Sequence, residues 1–228
     1  MLTSIASLRS DFVSTTVKNE NGVTHSVRPS ISTFSDHIVA SYSLLKIEAN
    51  DNRTKSMIVM AHLSELVGRI AIAALSMGFL IRGGVTLGKL YHAGGTVFGE
   101  ALVEAVGLES RTAIYPRIVL SKTAADFFES PRGLWIASDF DGINYIDHYR
   151  DCVLRAVHPG SDSEGTRRWF NNLTSILERN LKDLEDSKRM NERAKWVYFS
   201  KKLYESVSKM NPELLNDLGI EISKLPKV

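Results

Sequence analysis

The stretch FLIRGGVTLGKLYHAGGTVFGEALVEAVGLE, Phe79 to Glu109, decides how the chain is read. It reads as strand, turn, strand, turn, helix. Phe79 to Arg82 is short and apolar, and Gly83-Gly84 interrupts it. Val85 to Tyr91 alternates as a half-buried strand does. Ala93-Gly94-Gly95 is a turn, because glycine reaches positive φ without steric cost. Thr96 to Phe98 is extended again, and Gly99 ends it. Glu100 starts a helix with Leu102, Ala105 and Val106 on one face. Glu100 and Glu104 suit the positive end of that helix. A strand that runs through glycine into a helix N-terminus is a place where phosphate can bind. By itself the stretch also reads as an ordinary hairpin and helix with no ligand.

Ile31 to Ser41 is a second hairpin signal. Ile31, Thr33 and Ser35 alternate, Ser35-Asp36 sits at the turn, and Ile38-Val39 begins the return strand. A carboxylate at a hairpin tip can hold Mg²⁺, which takes oxygen ligands and shares them with substrate phosphates. Taken alone, an aspartate there is usually only a turn residue.

Around these two stretches, residues 1–16 read as a helix on the spacing of Ile5, Leu8 and Phe12. Lys18 to Gly22 is a polar loop. Val23 to Ser35 is extended, with Pro29 marking an edge or strand start. Ile38 to Leu45 is the return strand. Lys55 to Gly78 is the strongest helix, with Val59, Leu63, Leu66, Ile70, Ala74 and Met77 in one stripe. His62 lies beside that stripe and reads as a satisfied buried or boundary histidine. Ile118 to Leu120 is a strand, and Ser121 N-caps a helix from Lys122 to Phe128. Leu134 to Ser138 and Ile143 to Ile146 flank an acidic turn, Asp139 to Gly142. Two aspartates there have metal-ligand potential, but the pattern reads as a structural hairpin turn. After Pro159-Gly160, Gly165 to Lys188 and Asn191 to Met210 form two long helices. Their apolar residues need a partner surface, either the sheet domain or a second protomer.

The chain has 228 residues, 43% apolar and 24% charged, with a net charge of +2. That is an ordinary globular composition, and the charge is too small to argue for nucleic acid or a membrane surface. Cys152 is the only cysteine, which excludes an internal disulfide and fits a cytoplasmic location. The N-terminus lacks a signal-peptide pattern. The apolar segment from Met57 to Leu80 contains His62, Glu65 and Arg69, so it reads as a core helix and no membrane span is expected. Residues 1–158 are expected to form an α/β (α+β) domain and residues 159–228 a helical extension.

Together the two hairpin stretches resemble the class III nucleotidyl cyclase catalytic domain over about Ser32 to Phe128. That family carries a metal-binding aspartate in an "x-T-x-G-D-x-x-x-A" hairpin, which Thr33 to Ala40 is similar to. It continues with an "R-x-G-[IV]-x-x-G" strand and a "[VI]-[WF]-G" step into a helix. Arg82 to Gly88 and Val97-Phe98-Gly99 match these in order, and Leu108-Glu109 matches the apolar-acid pair that closes the helix. Gly99 to Ala105, followed by Tyr115-Pro116-Arg117-Ile118-Val119, most resembles the bacterial pyrimidine cyclases of Pycsar antiphage systems.

The resemblance implies a ferredoxin-like cyclase sheet with flanking helices. It implies conversion of UTP or CTP to cyclic UMP or cyclic CMP plus pyrophosphate, as an antiphage second messenger. Asp36 would hold Mg²⁺ or Mn²⁺, and a homodimer would build composite sites near Phe98. The family's purine-reading lysine falls at Ser32 and its second base-reading position at Thr96. The family's phosphate-contacting Asn and Arg fall at Val103 and Gly107, which leaves Arg111 and Arg117 as the candidate replacements. The family's other metal aspartate lies on its first strand, upstream of the hairpin. Asp11 is the only aspartate before Asp36 and stands in the segment read as helix. That strand is therefore expected to be missing, with its place covered by the N-terminal helix or a partner, or supplied by a longer product. Two alternatives remain: a non-catalytic cyclase-like module that dimerises or senses a nucleotide, and an interaction domain whose helical tail binds a partner.

Overall fold

β-Branched and hydroxyl residues are frequent in the strands of the first two ribbons. The computed structural model describes residues 15–18, 24–35, 37–47, 49, 51–129, 135–154, 163–184 and 189–226. Strand β1 (Thr15–Lys18) pairs antiparallel with β2 (Thr24–Val27). Thr15 and Thr16 are therefore strand, not the end of a helix, as β-branched residues favour. The rest of the expected N-terminal helix, residues 1–14, lies outside the described residues.

Strand β3 (Ser30–Phe34) pairs antiparallel with β4 (His37–Ser41), so the hairpin expected at Ile31 to Ser41 is present. Arg28 and Pro29 separate it from β2. The return strand stops at Ser41, and a short 3₁₀ turn, Leu44–Lys46, follows it. Phe34 opposes His37, so the chain reverses within two residues, with Ser35 in the turn. Such turns need positive φ. Ser35 is the one non-glycine residue with positive φ among the described residues, at 53°. Ser35 stands where the hairpin pattern quoted above has glycine. Ser35→Gly is expected to raise stability by a few tenths to about 1 kcal/mol, or about 1–3 °C in Tm. A lower Tm would show that the serine hydroxyl holds the turn.

Helix α1 (Asn52–Ser76) starts at Asp51, whose carboxylate accepts from the Thr54 amide at 2.8 Å and from the Thr54 hydroxyl. It stops where Gly78 turns to φ 78°. The single expected stripe is too narrow. Ser56, Ile58, Val59, Met60, His62, Ser64, Leu66, Val67, Gly68, Ala71, Ala74 and Leu75 are all buried, while Met77 is exposed. The reason is that α1 runs between two cores. Ile58, Val59, Met60 and Val67 pack on the sheet side, and Ala71 and Leu75 pack on the C-terminal helices. By length and composition α1 would pass for a membrane span, but 61% of its most apolar window is buried inside the protein.

Strand β5 (Gly83–Val85) pairs parallel with β8 (Ile118–Leu120). Strand β10 (Asn144–Ile146) pairs antiparallel with β8 and with β9 (Ile136–Ser138), giving the order β5-β8-β10-β9. Strands β6 (Tyr91–Ala93) and β7 (Thr96–Phe98) form a separate ribbon around Gly94-Gly95. The architecture is α+β. The strands expected in one sheet are divided, among the described residues, into four small sheets. Gly83-Gly84 does not interrupt a strand but forms one, and the strand expected to reach Tyr91 ends at Val85.

Helix α2 is Glu100–Arg111, and α3 is Lys122–Phe127, capped by Ser121 Oγ accepting from the Ala124 amide at 3.1 Å. Helices α4 (Tyr149–Leu154), α5 (Ser163–Asp183), α6 (Met190–Ser208) and α7 (Pro212–Asp217) complete the chain. Phe170, Leu173, Leu177, Phe199 and Leu203 share one core with Ala71, Leu75, Tyr145, Tyr149 and Cys152. The helical extension therefore packs on the rest of the same chain, across the expected 158/159 boundary. Full burial of each such side chain is worth about 1.5–3 kcal/mol.

Candidate functional site

The glycines after Arg82 are explained by how closely α2 lies on β5. A Cβ added at Gly84 would sit 2.5 Å from the Ala105 carbonyl oxygen and 2.6 Å from Leu108 Cβ. One at Gly88 would sit 3.2 Å from Ala101 Cβ. Ala101, Ala105 and Leu108 follow helical spacing, so they form the face of α2 that meets this glycine track. Val106 is half exposed instead, against the face expected from sequence. Gly99 has φ 143°, and a Cβ there would lie 2.5 Å from Lys89 O. Arg82 Nε pairs with Glu109 at 2.6 Å, which ties the start of the strand pattern to the acid that closes α2.

Ser32 is buried on β3, and its hydroxyl lies 2.9 Å from His92 Nε2. His92 Nδ1 lies 2.8 Å from the Ser41 hydroxyl on β4. Ser41 opposes Ser30, so Ser32 and Ser41 share one face of the hairpin. Burial pushes the His92 pKa down and favours the neutral ring. His92 opposes Val97, whereas Ala93 opposes Thr96 and Tyr91 opposes Phe98. Thr96 and Phe98 are therefore on the other face of that ribbon from His92. Both are exposed, and Phe98 stacks on Tyr91 with ring centroids 4.9 Å apart. Asp36, between Ser35 and His37 in the sequence, lies outside the described residues.

Val103 is exposed on α2 and offers no donor. Gly107 is more informative. Arg111, one turn later, folds back so that its Nη2 lies 2.7 Å from where a Cβ of Gly107 would be. Helical side chains lean toward the N-terminus, so a residue at i+4 covers the surface over i. Arg111 is exposed, and no ion pair holds it among the described residues.

Arg117 is held differently. It is buried, with Nη1 2.5 Å from Asp139 and Nη2 2.5 Å from Asp141. From α6, Tyr198 donates its hydroxyl to Asp139, and Lys202 Nζ lies 2.9 Å from the same carboxylate. Tyr115 stacks on Tyr198, with centroids 4.5 Å apart. Burial pulls the Arg117 pKa down, but its hydrogen bonds to Asp141 and the surrounding negative charge more than offset this. Burial pushes Asp139 up, and Tyr198 and Lys202 pull it below its ordinary value. Asp141 is lowered first by its bond to Arg117. The acidic turn is thus the anion half of an ion-pair network that engages both terminal nitrogens of Arg117, while its buried Nε has no hydrogen-bond partner among the described residues.

His62 is buried, as expected, but its Nε2 has no hydrogen-bond partner among the described residues. Cys152 is buried, and burial pushes its thiol pKa well up, which makes it an unreactive core residue. No group of three or more His, Cys, Asp or Glu side chains converges on one point among the described residues. A divalent ion shared between Asp36 and substrate phosphates needs no such cage.

Sequence reading missed His92, Tyr198 and Lys202. His92 carries one local signal, an imidazole on a strand beside an Ala-Gly-Gly turn. Tyr198 and Lys202 carry none, because their partner Asp139 is some sixty residues away. No family model matches this chain, and no curated protein or solved structure is significantly similar to it.

Proposed function

We propose that this chain is a nucleotidyl cyclase of the class III type, acting on UTP or CTP as the bacterial Pycsar pyrimidine cyclases do. The observation that carries the reading is an ordered set of elements. A tight β3–β4 hairpin stands where the family carries its metal aspartate, a long helix follows, a glycine track seats α2 on β5, and Gly99 opens α2 with Arg82 and Glu109 closing it. Arg111 adds to it, since its guanidinium covers Gly107, the position where the family has an arginine.

In this reading the ribose 3′-oxygen attacks the α-phosphorus. The bond from the α-phosphorus to the oxygen bridging to the β-phosphate breaks, the hydroxyl proton passes to solvent water, and pyrophosphate departs with the bridging oxygen. Asp36 holds the metal end of the substrate, and Arg111 donates to phosphate oxygens as negative charge develops there. Thr96 offers a hydroxyl to the base. A bound Mg²⁺ or Mn²⁺ supplies charge neutralisation and activation of the 3′-hydroxyl. Arg117 drops out of the phosphate site because Asp139 and Asp141 hold it. Tyr91, Phe98 and Val103 are exposed apolar side chains suited to a second copy of the chain, and the product would act in the cytoplasm. Among the described residues β5 is paired on one side only, an edge open to the further strand this reading calls for.

A non-catalytic, nucleotide-sensing module is the second reading. Val103, an exposed valine where the family has a donor, favours it.

Asp36→Ala separates the two readings. Turnover of UTP or CTP with Mn²⁺, followed as cyclic nucleotide and pyrophosphate, is expected to fall by at least about 100-fold. Tm should stay within about 2 °C, since the neighbours Ser35 and His37 are exposed. Undiminished turnover in the variant would remove Asp36 from the mechanism. Nucleotide binding by the wild-type chain without turnover would favour the sensing module.

A further inference from the structure

We propose that helix α6 fixes the end of α2 through Tyr198, which makes Tyr198 a positioning residue for Arg111. The inference rests on the cyclase reading above, which gives Arg111 its task, and adds the element that holds it in place. Arg111 is the last residue of α2. The final carbonyls of a helix lack intrahelical partners, and the last turn frays unless the chain beyond it is fixed. The placement of Arg111 therefore depends on residues 112–117.

That segment is tied at both ends and in the middle. The Thr112 and Ala113 amides donate to Leu108 O at 3.0 and 2.8 Å, which closes α2. At the far end, Arg117 O accepts from the Gly83 amide of β5 at 3.2 Å. The ties in the middle come from the C-terminal helices. Tyr115 stacks on Tyr198 of α6, with centroids 4.5 Å apart and planes 11° from parallel. Tyr149 of α4 donates its buried hydroxyl to Pro116 O at 2.8 Å, and its ring meets Phe199 of α6 edge-on. The Ile114 side chain is exposed and buries little here.

Tyr198 acts on the segment twice. Its ring carries Tyr115, and its hydroxyl donates to Asp139, the carboxylate that also accepts from Arg117 Nη1. Arg117 Nη2 in turn lies 3.5 Å from Thr112 O, directly after Arg111. A guanidinium that answers charge developing in the transition state must already be in place. A misplacement of about 1 Å costs on the order of 100-fold in rate.

The test uses the full chain with UTP or CTP and Mn²⁺. It compares wild type with Tyr198→Leu, Tyr115→Leu, Tyr115→Phe and Arg111→Ala, and with each leucine variant combined with Arg111→Ala. Tyr198→Leu is expected to lower kcat about 10-fold or more while KM changes less than about threefold. Tyr115→Leu removes the same stack from the other side and leaves the donor to Asp139 in place. It should lose kcat as well, and it decides the outcome if Tyr198→Leu lowers the folded fraction. Tyr115→Phe keeps the ring and should stay within about twofold of wild type. In the Arg111→Ala background each leucine substitution should cost less than about twofold more, because the group it positions is gone. Amide exchange at Thr112 and Ala113 should speed up in both leucine variants, with or without nucleotide, while residues 58–67 of α1 exchange as in wild type.

Equal losses from the leucine substitutions with and without Arg111 would overturn the proposal. So would unchanged kcat in both folded leucine variants, or undiminished turnover in Arg111→Ala alone. Unchanged exchange at Thr112 and Ala113 would overturn the hold of α6 on the end of α2. A wild-type chain that turns over no triphosphate would overturn the cyclase reading and the positioning role with it, and the exchange measurement would separately show whether α6 holds the segment.

Discussion

Replacing Arg117 by alanine is expected to destabilise the protein by about 3–5 kcal/mol, measured by urea or thermal unfolding. That is a large share of the total stability of an ordinary domain. The cost is not the value of an ion pair as such. Taking away the arginine leaves Asp139 buried without it, with no exposed side-chain surface. Lys202 and Tyr198 still contact Asp139, but Asp141 loses the two hydrogen bonds from its arginine. Arg117→Lys should be intermediate. It keeps the charge and loses the planar fork that reaches both carboxylates at once.

The pH dependence follows from the signs. Asp139 and Asp141 both have folded pKa values below their ordinary ones. Their contribution is therefore fully present above the unfolded aspartate value of about 3.9 and is lost as pH falls through the depressed folded values. Wild-type stability should drop on acidification below about pH 4, and this limb should be shallower in Arg117→Ala. A variant that melts like wild type at pH 7 would show that the network contributes little to holding α6 on the sheet.

Gly84→Val is expected to have the second large effect. Even the Cβ of Gly84→Ala would meet the Ala105 carbonyl oxygen at 2.5 Å and Leu108 Cβ at 2.6 Å. The first of these is backbone, so α2 must move away from β5. Overpacking of this kind costs about 1–3 kcal/mol for alanine, and valine should cost more. The displacement also carries Glu109 away from Arg82 and moves Arg111 with the end of α2, so the effect extends to the candidate phosphate site. Gly94→Ala is the contrast. Nothing lies within 4 Å of its added Cβ, and only its φ of 58° opposes the change. Its cost should be about 1 kcal/mol, set by local backbone strain. Equal destabilisation by Gly84→Ala and Gly94→Ala would show that α2 is not seated as closely as the glycine track implies.

The sequence by itself determined the elements whose causes are local. The β3–β4 hairpin follows from alternation around a two-residue turn, and Pro29 breaks the strand before it. Ser121 caps α3 through a bond three residues long. The long α1 and the α5 and α6 helices follow from apolar spacing, and the Asp139 to Gly142 turn was legible as structural. Each of these depends on interactions within a few residues, where propensity and periodicity carry information.

The tertiary structure decided everything that depends on a distant partner. Gly83 and Gly84 look like a strand breaker in sequence, but they lie in a strand because α2 needs the space a side chain would fill. Helix α1 is buried beyond its predicted stripe because a second core, built from the C-terminal helices, covers its other side. Arg117 and Arg111 look alike as solvated arginines near the end of α2. One is locked between two aspartates, and the other is free to cover Gly107. Ser32 reads as a short residue at a base-reading position until a histidine 60 residues away engages its hydroxyl. Tyr198 reaches Asp139 over 59 residues. Nothing in residue spacing encodes such pairings. They arise when burial removes water and each buried donor or acceptor must find a partner among the groups that packing brings beside it.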